Sequence, residues 1–362
     1  MPDNRRSDCT TLTQRLSIAP HVAIDEAILA VMRTRQPKVS PDAAADRIAA
    51  EIAAAAALFE ERGWVAAPAT YHRTPPPLRD ADVLELRTRT GPLRHETMTF
   101  ASDFTPRAVE PGAARWPGND CNGTAFVRLL RQRDPHAPWV VCLHGFGMGS
   151  SRFDLAVLWA TYLHSKLGFN VALPVSPLHG PRRTDTDGQL LSLDLTAMLH
   201  GITQALWDVR RLIGWIRSTS DAPVGVYGLS LGGFLATMLA GLEPLEAVVA
   251  ALPFADVLGL MEHHGPPAEY HSLLRSANAR NTFRVASPLT VPAVVPADRL
   301  SLFAARGDRL IPVDQSRALH HAWRDGSVHW TNSGHVGFTW SRQARGLVGQ
   351  RLRTALSAEQ HR

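Results

Sequence analysis

The chain has 362 residues, a formal net charge of +5, 45% apolar residues and 20% charged residues. This length is enough for two domains or one large α/β domain with additions. The composition excludes a wholly disordered, collagen-like or coiled-coil chain. No stretch approaches the roughly 18 apolar residues of a membrane span, the longest near-candidate being the eight from Ile52 to Phe59. The polar start, Met1 to Thr13, lacks the apolar core of a secretory signal, so a soluble, cytoplasmic protein is expected. All basic residues but Lys38 and Lys166 are arginines. They are scattered as singles and pairs rather than clustered in a stripe, which argues for a solvated surface and against nucleic acid as a partner. Cys9, Cys121 and Cys142 lack CxxC spacing and are read as reduced thiols.

In chain order, a short helix is expected near residues 20–35. A clearer one follows, with Ser40 as N-cap, Pro41 in its first turn and Gly63 at its exit. Ile48, Ile52, Ala55 and Phe59 fall on one face of this helix. That stripe suits docking onto a larger core or a homodimer interface, and both stay open. The proline-rich stretch 66–82 reads as a linker or extended crossing. Residues 1–82 are therefore expected to be a helical extension and linker, and 83–362 the main domain.

From residue 83 the pattern turns to short strands at Leu84 to Thr88, Thr97 to Ser102 and Thr124 to Leu130. Continuous apolar runs follow at 139–143, 170–175, 224–227, 247–252 and 300–304, and 327–331 reads as a last strand. Helical stretches at 153–166, 194–217, 231–240 and 315–324 separate them. Such alternation predicts an α/β fold with a mostly parallel central sheet and helices on both faces. The segment 256–297 exceeds a single crossover helix and is expected to form a helical lid.

The strongest chemical signal is Gly228-Leu229-Ser230-Leu231-Gly232, a G-x-S-x-G motif between a strand and an apolar helix. The turn must be sharp, so small residues flank Ser230 and its hydroxyl is left exposed above the sheet. A serine nucleophile needs a base, and the base needs an orienting carboxylate. Asp308, after the strand at 300–304, and His335, after the final strand, fit the order Ser, Asp, His. Asp256 is a substitute acid at a neighbouring strand end, whereas Asp314 looks more like an N-cap. His335 stands out among sixteen histidines by that place and by its small neighbours Gly334 and Gly337. The oxyanion hole would use the backbone N–H of Leu231 and that of Phe146 in the loop after the strand at 139–143. Arg182 and Arg183 form a pair that binds a substrate anion in some proteins and anchors carbonyls in more.

The motifs LHGFGMG (143–149), YGLSLGG (227–233), GD (307–308) and GHVGF (334–338) resemble those of the α/β-hydrolase superfamily over about residues 83–358. The likeness is greatest to the bacterial serine-esterase and peptidase-like branches. It implies a Ser–His–Asp triad, a two-donor oxyanion hole, and no metal or organic cofactor. HGFG in place of HGGG sets the chain apart from the hormone-sensitive-lipase branch. Ser at the elbow, rather than Asp or Cys, sets it apart from dehalogenases, epoxide hydrolases and dienelactone hydrolases. The expected activity is carboxylic-ester hydrolysis on a small-molecule acyl substrate. Peptide or amide hydrolysis and acyl transfer would use the same residues, and a non-catalytic binding module is the alternative of another class.

Overall fold

The computed structural model describes residues 12–34, 41–90, 93–116, 120–183 and 189–357. Cys9 and the expected N-cap Ser40 lie outside the described residues. A sheet of nine strands runs through the described residues in the order β1-β2-β3-β5-β4-β6-β7-β8-β9. β1 (Val83–Thr90), β2 (Leu93–Ala101) and β3 (Thr124–Leu130) form an antiparallel margin that joins β5 (Asn170–Pro174). β4 (Trp139–Leu143), β5, β6 (Val224–Leu229), β7 (Ala247–Ala251), β8 (Leu300–Ala305) and β9 (Ser327–Thr331) are parallel. Every residue of β4 to β8 is buried, which is why these strands read as unbroken apolar runs.

Alternate side chains feed two apolar layers. On one face Val141, Val226 and Val248 meet α5 (Leu195–Thr219) and α6 (Leu231–Leu239). On the other, Cys142, Tyr227 and Val249 meet α3 (Ser151–Val157), α4 (Ala160–Ser165) and α12 (Arg342–Ser357). α5 starts at an Asp194 cap whose side chain accepts the Ala197 N–H. Its Trp207 and Trp215 are buried, as their helical spacing predicts. The expected helix over 153–166 is two short ones. Trp159 breaks it with a left-handed φ of 54° and donates its indole N–H to the Thr339 carbonyl.

α1 (Leu12–Thr34) starts eight residues earlier than expected, and Pro20 lies inside it rather than at its start. α2 (Pro41–Glu61) ends two residues before Gly63, which has a left-handed φ of 73°. The stripe Ile48, Ile52, Ala55 and Phe59 is buried in the same apolar layer as α5. The 66–82 crossing also packs there: Tyr71 lies against Phe59 and Trp64, and its hydroxyl donates to Glu110. Residues 256–297 form α7 (Val257–His263), α8 (Ala268–Arg275) and α9 (Ala277–Phe283), with α8 and α9 against α2. α10 (Val313–Ala322) and the single turn α11 (His335–Phe338) complete the helices used below. No helix among the described residues is long and apolar enough to cross a membrane.

Candidate active site

Parallel strands put their carboxyl ends along one edge, and open sheets of this kind build sites there. Phe146 follows β4, Ser230 follows β6, Asp308 follows β8 and His335 follows β9.

Ser230 sits between β6 and α6 at φ 57° and ψ −114°, a strained backbone for a residue with a side chain. Close packing holds it there. A Cβ at Gly228 would collide with the Gly232 carbonyl, and one at Gly232 with the Leu143 carbonyl. One at Gly233 would stand 2.7 Å from the Ala251 carbonyl oxygen. The Ser230 N–H donates to that carbonyl at 2.8 Å, which ties the turn to β7. The serine itself is partly exposed.

The candidate acid and the candidate base are in contact: His335 Nδ1 lies 2.7 Å from Asp308 Oδ2. Asp308 Oδ1 accepts the N–H groups of Leu310 and Ile311 at 2.9 and 2.8 Å, so the carboxylate is held at both oxygens. With Nδ1 donating to Asp308, the Nε2 lone pair of His335 is left to accept a proton. Burial opposes a charge on the ring, but Asp308, by charge and hydrogen bond, and then Asp25, outweigh it. The His335 pKa is therefore raised above the ordinary imidazole value. The Ser230 hydroxyl makes no hydrogen bond to His335 among the described residues. Such bonds are often long in unliganded enzymes.

The loop after β4 passes beside the serine; a Cβ at Gly145 would be 3.5 Å from the Ser230 Cβ. The Gly145 N–H is turned to the Met148 sulfur at 3.2 Å. Neither the Phe146 nor the Leu231 N–H donates to a protein acceptor among the described residues. His144 fixes the start of this loop. Its Nε2 accepts the Ser176 N–H at 3.0 Å, so Nδ1 carries the proton and donates to the Gly145 carbonyl at 2.8 Å. Burial, reinforced by Arg128 and Arg182, lowers the His144 pKa to about 4. Burial and the neighbouring His144 lower that of His179 to about 3. Asp154 accepts the Gly149 N–H and the Arg128 guanidinium, and Arg128 donates back to the Gly149 carbonyl, which fixes the loop's other end.

The alternative acids have other work. Asp256 N-caps α7 by accepting the Gly259 N–H at 3.0 Å. Asp256→Ala is expected to cost about 1 kcal/mol of stability and to leave kcat unchanged, as read by urea unfolding and ester turnover. Asp314 is not the cap of its helix, which starts one residue earlier at Val313 after Pro312; it pairs with Arg317 at the surface. Arg182 is fully buried, bonded to Asp208 and to the carbonyls of Val175 and Asn122. It is an anchor of the fold and is closed to a substrate anion. Arg183 is exposed.

Two features at the site were missed in the sequence. His335 begins a helical turn rather than lying in a loop, and the N–H groups of that turn meet Asp25 of α1. The one available signal is the place of Asp25 on the stripe of Ile18, Val22 and Leu29, where an apolar residue belongs.

No family model matches the chain. Two proteins of Mycobacterium tuberculosis, Uncharacterized protein MT2702 and Uncharacterized protein Rv2627c, are each 35% identical to it over 350 residues, covering 92% of this chain and 81% of theirs. Among solved structures, acetyl xylan esterase 1 from Thermoanaerobacterium sp. matches with a TM-score of 0.54 and 15% identity, over 81% of this chain and 92% of that one. An acetyl xylan esterase from Paenibacillus sp. matches with a TM-score of 0.53 and 16% identity, over 89% and 98%. At these identities the likeness is one of fold, and the fold is that of the α/β hydrolases. The chain therefore has the α/β-hydrolase fold and belongs to one family with the two mycobacterial proteins.

Proposed function

We propose that the chain is a serine hydrolase that cleaves a carboxylic ester through an acyl-enzyme. The observation that carries this reading is the 2.7 Å bond between His335 and Asp308, along the same sheet edge as the strained Ser230. Ser230 Oγ attacks the acyl carbonyl while His335 Nε2 takes its proton. The charge that forms on the carbonyl oxygen is met by the N–H groups of Phe146 and Leu231, the second at the N-terminus of α6. His335 returns the proton to the departing alcohol oxygen. It then takes one from water, whose oxygen attacks the acyl carbon. The tetrahedral species collapses to the free acid, and Ser230 regains its proton. Asp308 holds the imidazole in the Nδ1–H form and balances its charge while it is protonated.

The acetyl xylan esterases that share the fold make short acyl esters the first substrates to try. The test is labelling of the full-length protein with a fluorescent fluorophosphonate, then turnover of acyl esters and amides of rising chain length. Labelling with ester turnover supports the reading. Folded protein that neither labels nor hydrolyses would put the non-catalytic binding module in its place.

The raised His335 pKa sets the pH dependence. The base acts only when neutral, so activity is lost as pH falls through that pKa. The acid limb of kcat/KM is expected above about pH 6.5, the ordinary imidazole value. A profile measured from pH 5 to 9 with a limb at or below that value would count against His335 as the base.

A further inference from the structure

Asp25 lies in the middle of α1, outside the motifs that carry the resemblance, and it is fully buried. Its Oδ2 accepts the His335 N–H at 2.7 Å and the Arg309 N–H at 3.1 Å. Its Oδ1 accepts the Val336 N–H at 3.1 Å. One carboxylate thus receives three backbone donors, two from the turn that starts with the base and one from the residue after the acid. Bonds from N–H groups to a carboxylate are stronger than neutral ones.

Three glycines let α1 come this close. A Cβ at Gly334 would stand 2.7 Å from Asp25 Oδ2. A Cβ at Gly307 would collide with Ile18, and one at Gly337 with the His21 ring. Ile18, His21 and Asp25 lie within two turns of one helix, so a single face of α1 covers both loops. The loops also meet directly, through the Gly307 N–H and the Ser333 carbonyl at 3.0 Å. At the rim Glu26 pairs with the Arg309 guanidinium.

We propose that Asp25 is a positioning residue of the active site, a carboxylate brought in by the N-terminal helix to lock the His335 turn and the Asp308 loop in register. It acts through His335 and does not touch the reacting atoms. The proposal rests on the hydrolase reading for its kinetic consequence and on the three hydrogen bonds for its geometry. Asparagine at this position offers one acceptor oxygen and an NH2 that faces donors, so at least one of the three N–H groups loses its partner.

The groups that face His335 are Asp308 on the adjoining loop and Asp25 on α1, with the His21 ring over Gly337. Glu26 is taken up by Arg309, and Arg306 donates to Asn332. Removing the Asp25 charge therefore favours the neutral ring and moves the His335 pKa down. Full-length Asp25→Asn is expected to lower kcat by about ten- to a hundredfold with little change in KM. The acid limb of kcat/KM should move down by about half a pH unit or more. Asp25→Glu, which keeps the charge, should recover part of the limb's position.

The His335 pKa is read independently of turnover by NMR of the histidine rings, with His335→Ala identifying the resonance. Leu29→Ala controls for simple loosening of α1, since Leu29 is buried on the same helix and keeps the carboxylate in place. A folded Asp25→Asn protein with unchanged kcat, acid limb and His335 pKa would overturn the proposal. So would a Leu29→Ala protein that shows the same shifts. If wild type shows no labelling and no turnover, yet Asp25→Asn still lowers the His335 pKa, the hydrolase reading fails and the Asp25 linkage stands.

Discussion

Ser230→Ala is expected to reduce ester turnover by on the order of 10⁵-fold and to abolish fluorophosphonate labelling. In the proposed mechanism this residue supplies the atom that forms the acyl bond, and no other side chain at the elbow carries a nucleophile. What survives is the contribution of the oxyanion donors and of binding, so the loss should fall in kcat rather than KM. The fold should not notice the change, because alanine meets the same backbone at φ 57° as serine does. Ser230→Gly separates the two effects further. It should be as inactive, yet more stable by about 1 kcal/mol, because glycine relieves a strain that an L side chain pays at this φ and ψ. Urea unfolding of the three proteins checks the second part. If Ser230→Ala kept its labelling, the nucleophile would lie elsewhere.

The largest effect on stability is expected at Arg182. Its guanidinium is fully buried and holds Asp208 at 2.8 Å, the Val175 carbonyl at 2.9 Å and the Asn122 carbonyl at 2.8 Å. Asp208 also accepts the Ser102 hydroxyl at 2.6 Å, and Gln204 donates to Ser102 and to Asn122. The network joins α5 to β2, to the turn before β3 and to the loop after β5. Arg182→Ala leaves the Asp208 carboxylate buried with the Ser102 hydroxyl as its remaining hydrogen-bond donor and takes the guanidinium from the Val175 carbonyl, while the Asn122 carbonyl keeps Gln204. The expected cost is about 3–5 kcal/mol, the usual price of removing one member of a buried ion pair. Arg183→Ala, at its exposed neighbour, should stay within about 0.5 kcal/mol. Replacing Arg182 and Asp208 together by apolar residues should cost less than Arg182→Ala alone, because no lone charge remains. Equilibrium unfolding of the four proteins decides this. Equal stabilities for Arg182→Ala and Arg183→Ala would remove the anchor role.

Local pattern made much of this molecule readable. The parallel strands β4 to β8 carry apolar runs with Gly or Pro within a few residues of their ends, and β3, β4 and β9 fall on the expected residues. The elbow was legible because its glycines are needed by backbone packing, and packing of that kind leaves a short motif. The position of Asp308 after a strand, at the edge where Ser230 and His335 also lie, was legible in the order of the runs. Where the reading went astray, tertiary contacts had overridden local preference. Trp159 breaks a good helical stretch because its indole reaches the Thr339 carbonyl. The proline-rich crossing looked like a linker, yet Tyr71 and Leu78 are buried in it. Asp25 left the faintest trace, since its partners are far along the chain and are backbone groups, which any residue could supply.

The docking of α1 also sets an order of events in the making of the protein. Asp25 and the His335 N–H that it holds are 310 residues apart in the chain. At about 5–20 residues per second, a ribosome releases α1 roughly 15–60 s before it makes His335. Through that time Ile18 and the α1 face around it have no docking surface, because Gly307 and the α11 turn do not yet exist. Contacts of such long range close late and slow folding. A nascent chain is therefore held without its completed site until β9 and the turn after it have emerged, and the apolar stripe of α1 stays bare until then.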